Sequence, residues 1–366
     1  MSVLRLSMIV ASLARGGIGR TVVTLANGLA ASGVLVDLLV ADGDSPYMNM
    51  LTDGVQILPI PTTHLLFGLP TLVRYLRRVR PQALLTHIER IDALALRARA
   101  LSGVRVPVFS TLHTHLGRFL GQLKPAKREA HLKLMRLAYP RNDGLISVSA
   151  PVAEDAAALL GLPSSRFDVI HNPIASASLQ ARAGEDPGHP WLAAGEPPVL
   201  LAVGRLETVK DFPTLLDAHA RLRRDRPCRL LILGEGSQRR ALQAQAERLG
   251  TAADVQLPGF VANPYAYMSR AAVLVSSSLW EGFGNVLVEA MACGTPVVAT
   301  DCPGGPAGIL ENGRHGRLVA VGDARALADA VTDTLAAPLP AAQLQAAAAR
   351  YDVARSVAHY RSRLGL

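Results

Sequence analysis

Cysteine is scarce in this sequence. Its three cysteines, Cys228, Cys293 and Cys302, show no C-x-x-C spacing, so neither a zinc site nor a disulfide framework is indicated, and a reducing compartment fits. Aromatic residues are few, at 4%, while hydrophobic residues make up 49%, and no tract has a disordered composition. No apolar run reaches the ~18–20 residues of a membrane-spanning helix. The start, MSVLRLSMIVASLARGG, has one Arg and an apolar centre, but it reads better as a first strand entering a glycine loop than as a signal peptide. The dinucleotide fingerprint G-x-G-x-x-G is not met at GGIGR, which argues against a nicotinamide dehydrogenase.

Positive charge is present and unevenly spread. Residues 1–175 hold 19 Lys and Arg against 11 Asp and Glu; the remainder holds 19 against 18, and six of the ten histidines lie in the first part. Such a basic half favours anionic partners such as phosphates or an acidic membrane surface. For nucleic acid there is only the charge, and no such partner is expected.

A length of 366 residues suits two domains better than one core. LRLSMIVAS, LVDLLVAD, ALLTH, VFSTLH, GLISVS and FDVIHNP read as strands, with helical patterns between them. GLPTLVRYLRRVRP places Leu69, Leu72, Val73, Leu76 and Val79 at helical spacing. After a stretch rich in Gly, Pro, Ser and Ala, the rhythm restarts at VLLAVGRL and runs through RLLILGEG, VQLPGF, AVLVSSS, TPVVAT and GRLVAV. Strands alternating with helices predict parallel sheets covered on both faces. The expected organisation is an N-terminal Rossmann-like domain over 1–172, an interdomain region over 173–197 and a second Rossmann-like domain over 198–350. A terminal helix over 351–366 would pack back near the first domain. The fold class is α/β, two Rossmann-like doubly wound domains facing a cleft, with ligands at the carboxyl ends of the strands.

Four stretches of the second half suit one ligand type. In VGRLETVKDF, Arg205 and Lys210 follow a strand end, where a phosphate would lie. LGEGS brings Gly234 and Gly236, whose missing side chains let a backbone approach closely. LPGFVANPY offers Phe260 and Val261 as a surface for a base. LWEGFGNVLVEAMACGTPVVAT holds Glu281 and Glu289 with seven residues between them. If Gly284 and Asn285 open a helix, its N–H groups and positive dipole end suit a pyrophosphate. Glu289, a turn further in, would reach outward to ribose hydroxyls, and Glu281 would stay near the reacting sugar. The alternative for each stretch is an ordinary turn or a solvated side chain.

These stretches, together with VIHNPI, resemble family 4 of the retaining glycosyltransferases, densely over residues 168–320 and in outline before that, through ARGGIGR and TLHTH. The wording is closest to enzymes that extend surface polysaccharides or lipid-linked oligosaccharides. The resemblance implies the GT-B fold and a UDP-sugar donor used without a metal ion or other cofactor. It implies transfer of a hexose or N-acetylhexosamine, with retention, to a glycan or lipid-linked hydroxyl. Arg205 and Lys210 would bind the diphosphate and Glu289 the ribose. Glu281 would lie at the transfer chemistry, and Gly284, Asn285 and Val286 would give backbone contacts. Gly16 and Gly17 resemble the glycine loop near the diphosphate and acceptor. His113 resembles a histidine near the donor sugar, with His115 a rival. One departure is Gly308, where relatives carry an acidic residue after the CP-x-GP turn. Residues 118–141, with Arg118, Lys124, Lys127, Arg128, Lys133, Arg136 and Arg141 and a stripe of Ala130, Leu134 and Leu137, would meet anionic lipid or a lipid diphosphate, or be a solvated face. The expected location is cytoplasmic, peripheral on the inner membrane face. A sugar-nucleotide epimerase and a non-catalytic nucleotide-sugar-binding subunit are the rival functions.

Overall fold

The computed structural model describes residues 4–13, 16–42, 45, 47–60 and 65–366, the side chains of residues 12, 42, 65, 66, 89 and 90 excepted. It divides into two units, residues 1–173 with 353–366, and 174–352.

The first unit is built on seven strands: β1 (Arg5–Ser12), β2 (Leu35–Asp42), β3 (Val55–Pro59), β4 (Ala83–Thr86), β5 (Val108–Leu112), β6 (Gly144–Ser147) and β7 (Phe167–Val169). All pair in parallel, in the order β3-β2-β1-β4-β5-β6-β7. β4, β5 and β6 are buried at every position, as the continuous apolar runs predict for strands covered on both faces. Edge strand β3 alternates too weakly to stand out in the sequence. Its register on β2, with Val36 opposite Val55 and Leu38 opposite Ile57, defines it.

The chain returns to this unit with the helix Val353–Leu364. That helix lies so close to the helix Gly17–Ala31 that a Cβ on Gly28 would fall 2.6 Å from Val357 Cγ2. Arg361 donates to the Ser32 carbonyl at 3.1 Å, Ser356 Oγ to that of His171 at 3.0 Å, and Arg363 pairs with Asp168.

The second unit has six parallel strands: β8 (Val199–Val203), β9 (Arg229–Leu233), β10 (Val255–Gly259), β11 (Val273–Ser276), β12 (Val297–Thr300) and β13 (Arg317–Val319), in the order β10-β9-β8-β11-β12-β13. Residues 173–197, read as interdomain, are not featureless. Ser176 caps the helix Ala177–Ala183 by accepting from the Leu179 N–H at 3.1 Å, and residues 174–197 count with the second unit. Each sheet reverses direction beside its first strand, between β1 and β4 and between β8 and β11. Loops part there at the carboxyl ends of the strands and leave room for a ligand.

Candidate active site

In the second unit the reversal point is where the sequence-predicted residues meet. Past β8 the chain makes a 3-10 turn, Thr208–Lys210. Asp211 then takes a left-handed conformation (φ 46°) and leads into the helix Phe212–Asp225. This hooks Lys210 back over the strand end. A Cβ on Gly204 would lie 2.9 Å from Lys210 Cε, so the bare glycine leaves room for the lysine stem.

The loop after β11 is stitched to that turn. Leu279 N–H donates to the Val209 carbonyl at 2.8 Å, and Ser277 Oγ to that of Lys210 at 2.7 Å. Glu281 Oε1 accepts from Lys210 Nζ at 2.5 Å and from Ser278 Oγ at 2.7 Å. The turn after β12 closes from the other side, with Glu281 N–H donating to the Pro303 carbonyl at 3.0 Å. A Cβ on Gly304 would sit 1.9 Å from the Glu281 carbonyl oxygen, and one on Gly305 1.8 Å from that of Phe283. Only glycine allows this approach. Ser277, Ser278, Gly304 and Gly305 were not singled out from the sequence. The serine run at 276–278 and the CPGGP turn at 302–306 were the available signals.

Gly284, at φ 105°, caps the helix Asn285–Ala292, so the expected helix start is where the structure has it. Its first-turn N–H groups point out of the N-terminus beside Glu281. Glu289 lies one turn into that helix. It is only 5% exposed, and one of its oxygens lies 3.4 Å from the buried Tyr265 hydroxyl. Burial and the neighbouring Glu289 push the Cys293 thiol up to about 12, and burial, with Glu281 adding, does the same to Cys302. Both thiols are therefore poor nucleophiles at neutral pH.

Arg205 is exposed past β8, and Phe260 and Val261 are half-buried past β10. Gly234 follows β9, but its close approach is to its own chain. A Cβ there would fall 1.8 Å from the Gly204 carbonyl oxygen, and one on Gly236 2.4 Å from that of Leu206. These glycines pack the β8 and β9 loops together. Arg205, Lys210, Gly234, Phe260, Val261, Glu281, Gly284, Asn285, Val286 and Glu289 thus follow the ends of four neighbouring strands, β10, β9, β8 and β11.

In the first unit, Gly16 caps the helix that begins at Gly17, so the glycine loop is shorter than ARGGIGR suggested; Ala14 and Arg15 lie outside the described residues. Gly16 N–H donates to the Tyr47 hydroxyl at 3.2 Å. His113, past β5, is partly exposed, and its Nε2 lies 3.0 Å from Nδ1 of His87, past β4. Burial lowers His113 to about 4, and burial with the neighbouring ring pushes His87 well below its usual value. His115 faces Asp155 instead, 3.1 Å from Nδ1 to Oδ2. His87 was read only as part of a strand.

The helix Pro125–Ala138 buries Leu132, Met135 and Ala138. Of the stripe Ala130, Leu134 and Leu137, Ala130 is exposed, Leu134 is half-buried and Leu137 is 56% exposed. No helix is long and apolar enough to cross a membrane among the described residues, and no cluster of three or more His, Cys, Asp or Glu among them could hold a metal ion. β2 ends at Asp42, the first residue of an Asp-x-Asp triplet in the sequence whose Gly43 and Asp44 lie outside the described residues.

The family model described as Glycosyltransferase Family 4 matches residues 15–177, and that of Glycosyl transferases group 1 matches 189–351. The chain belongs to the family 4 glycosyltransferases. Its two parallel-sheet units have the GT-B fold of that family. Among curated relatives, an N-acetylgalactosamine-N,N'-diacetylbacillosaminyl-diphospho-undecaprenol 4-alpha-N-acetylgalactosaminyltransferase of Campylobacter jejuni is 34% identical over 188 residues, 51% of this chain and 49% of the relative. The lipopolysaccharide core biosynthesis glycosyltransferase LpsE of Rhizobium meliloti is 32% identical over 203 residues, 55% of this chain and 56% of the relative. The chain spans about half the length of the curated relatives it matches. Among solved structures, Anabaena HepE in complex with UDP and glucose superposes with a TM-score of 0.82 at 20% identity, over 99% of both chains.

Proposed function

We propose that the protein is a retaining glycosyltransferase that moves a hexose or N-acetylhexosamine from a UDP-sugar to a hydroxyl of a glycan or lipid-linked acceptor. The observation that carries this reading is the cluster at the β8/β11 reversal, where Lys210, Glu281 and the N-terminus of the helix Asn285–Ala292 converge. Two fixed positive ends beside one carboxylate suit a departing diphosphate and the electron-poor sugar carbon it leaves. The bond from the anomeric carbon to the phosphate oxygen breaks, and UDP leaves with the electron pair. The acceptor oxygen attacks that carbon and gives its proton to a diphosphate oxygen. Lys210 and Arg205 neutralise the leaving group, so the reaction needs no metal ion. Glu289 holds the ribose hydroxyls.

The names of the Campylobacter and Rhizobium relatives, a diphospho-undecaprenol-linked N-acetylgalactosaminyltransferase and a lipopolysaccharide core glycosyltransferase, support a place in lipid-linked oligosaccharide or polysaccharide assembly. The basic face of residues 118–141 is the first unit's side toward an anionic lipid, with the protein cytoplasmic and peripheral on the membrane. The test is calorimetric titration of the full chain with UDP, GDP, ADP and NAD, in chelator and then with magnesium. Selective UDP binding in chelator, lost in Lys210→Ala, is the expected result. A GDP preference would change the donor class, and binding of NAD alone, or of nothing, would refute the reading.

A further inference from the structure

His87 and His113 form a pair for which the proposed chemistry has no use. They stand past the ends of β4 and β5, beside the first sheet's reversal point. The two strand ends are tied beneath them, with Thr86 Oγ1 bonded to Asp92, to Ser110 Oγ at 3.1 Å and to the Phe109 carbonyl at 3.1 Å. Nδ1 of His87 faces Nε2 of His113 at 3.0 Å, with the rings tilted by 32°. Both rings are neutral near pH 7, since burial lowers both.

Two neutral imidazoles that meet through one nitrogen each share a single N–H···N bond, so only one of them supplies the proton. If His113 supplied it from Nε2, His87 would carry its own proton on Nε2. That atom is buried and has no hydrogen-bond partner among the described residues. Among backbone groups, orphaned buried N–H donors are rarer than under-satisfied carbonyl acceptors, and the same desolvation argument applies to a ring N–H. With the proton on Nδ1 of His87, the buried Nε2 is a bare lone pair, the milder loss. His113 then accepts at Nε2 and must hold its own proton on Nδ1.

We propose that His87 is a positioning residue that sets the tautomer of His113, so that His113 meets substrate oxygen as an N–H donor from Nδ1 and not as a base. The step from tautomer to substrate rests on the transferase reading above. His115 differs, because its Nδ1 lies 3.1 Å from the Asp155 carboxylate and not against another ring.

The test is long-range proton–nitrogen correlation on the full chain labelled with 15N-histidine, near neutral pH and without substrate. The expected result is His113 protonated at Nδ1 only and His87 protonated at Nδ1 only. A proton on Nε2 of His113, or a doubly protonated ring in either residue, would overturn the inference. His87→Asn keeps an N–H donor near the place of Nδ1, and His87→Leu removes it. His113 should keep its tautomer in the first variant and show a mixture in the second, with kcat down roughly tenfold in the second and donor KM little changed. An unaltered tautomer in a folded His87→Leu protein would equally sink the proposal. The tautomer is read without turnover, so a failure to bind UDP would refute the function above while leaving this question decided by the spectra.

Discussion

Lys210 is held by Glu281 in the free protein, at 2.5 Å with both side chains mostly buried. A diphosphate arriving at the same lysine must compete with that carboxylate. Glu281→Gln keeps an oxygen for Ser278 and removes the charge, so UDP affinity should stay level or rise while kcat falls. A drop in UDP affinity with unchanged turnover would reverse the assignment. Glu289→Gln should do the opposite. Losing charge-assisted hydrogen bonds worth about 1.5–3 kcal/mol weakens UDP binding by roughly 10–150-fold. Calorimetry and steady-state kinetics on both variants separate the two roles.

The first unit's histidines have a consequence for stability. His113, held at about 4 in the folded chain against 6.5 for an unperturbed histidine, stays neutral while the unfolded chain takes up a proton. The unfolded state binds more protons between these values, so stability falls as pH drops from about 6.5 to about 4. The single group is worth on the order of 3 kcal/mol at the acid end. His87, lowered in the same direction, adds to the slope. Urea midpoints across this range should fall less steeply in His113→Gln than in the native chain; equal slopes would remove the pair as the source.

Among the elements, glycines decide how closely loops can stack. Gly304 and Gly305 press on the carbonyls of Glu281 and Phe283, and Gly234 on that of Gly204. Gly308 is different: it is exposed in the short helix Pro306–Ile309, its φ is not positive, and an added Cβ would meet nothing within 4 Å. The missing carboxylate is therefore not excluded by space. Gly308→Glu should fold with unchanged or slightly higher thermal stability, since glycine costs roughly 0.5–1 kcal/mol in a helix. If this position affects donor choice, the variant should shift the ratio of rates between UDP-sugars. A marked loss of stability would contradict the open space.

The same elements explain what could be read beforehand. β4, β5, β6 and β11 are buried at every position, so their apolar runs stood out, and with them the strand ends that carry His113 and Glu281. The edge strand β3 is mostly half-buried, so nothing in its composition marked it. The helix Pro125–Ala138 has two leucine-bearing faces, and spacing alone did not say that Leu132 and Met135 would be the ones to pack inward. The Glu281–Lys210 contact joins residues 71 positions apart, and that of His87 with His113 joins residues 26 apart. Both follow from strand order, which pattern reading does not supply.

Over the whole molecule, charge follows the division into units. Residues 1–173 with 353–366 hold 22 Lys and Arg against 11 Asp and Glu, and residues 174–352 hold 16 against 18. The returning helix Val353–Leu364 contributes three of those arginines and no acid. Within the first unit the helix Pro125–Ala138 turns Lys127, Arg128, Lys133 and Arg136 to solvent around the exposed Leu137, a pattern that suits a lipid surface of negative charge. Each basic residue near such a surface contributes about 1 kcal/mol, and the attraction is screened within a Debye length of ~8–10 Å. The protein should therefore sediment with vesicles containing phosphatidylglycerol and not with pure phosphatidylcholine, and 0.5 M salt should release it. Replacing Lys127, Arg128 and Lys133 by Gln should abolish that sedimentation while UDP binding, assigned to the other unit, is retained. Equal binding to both kinds of vesicle, or binding indifferent to salt, would leave the basic face as a solvated surface.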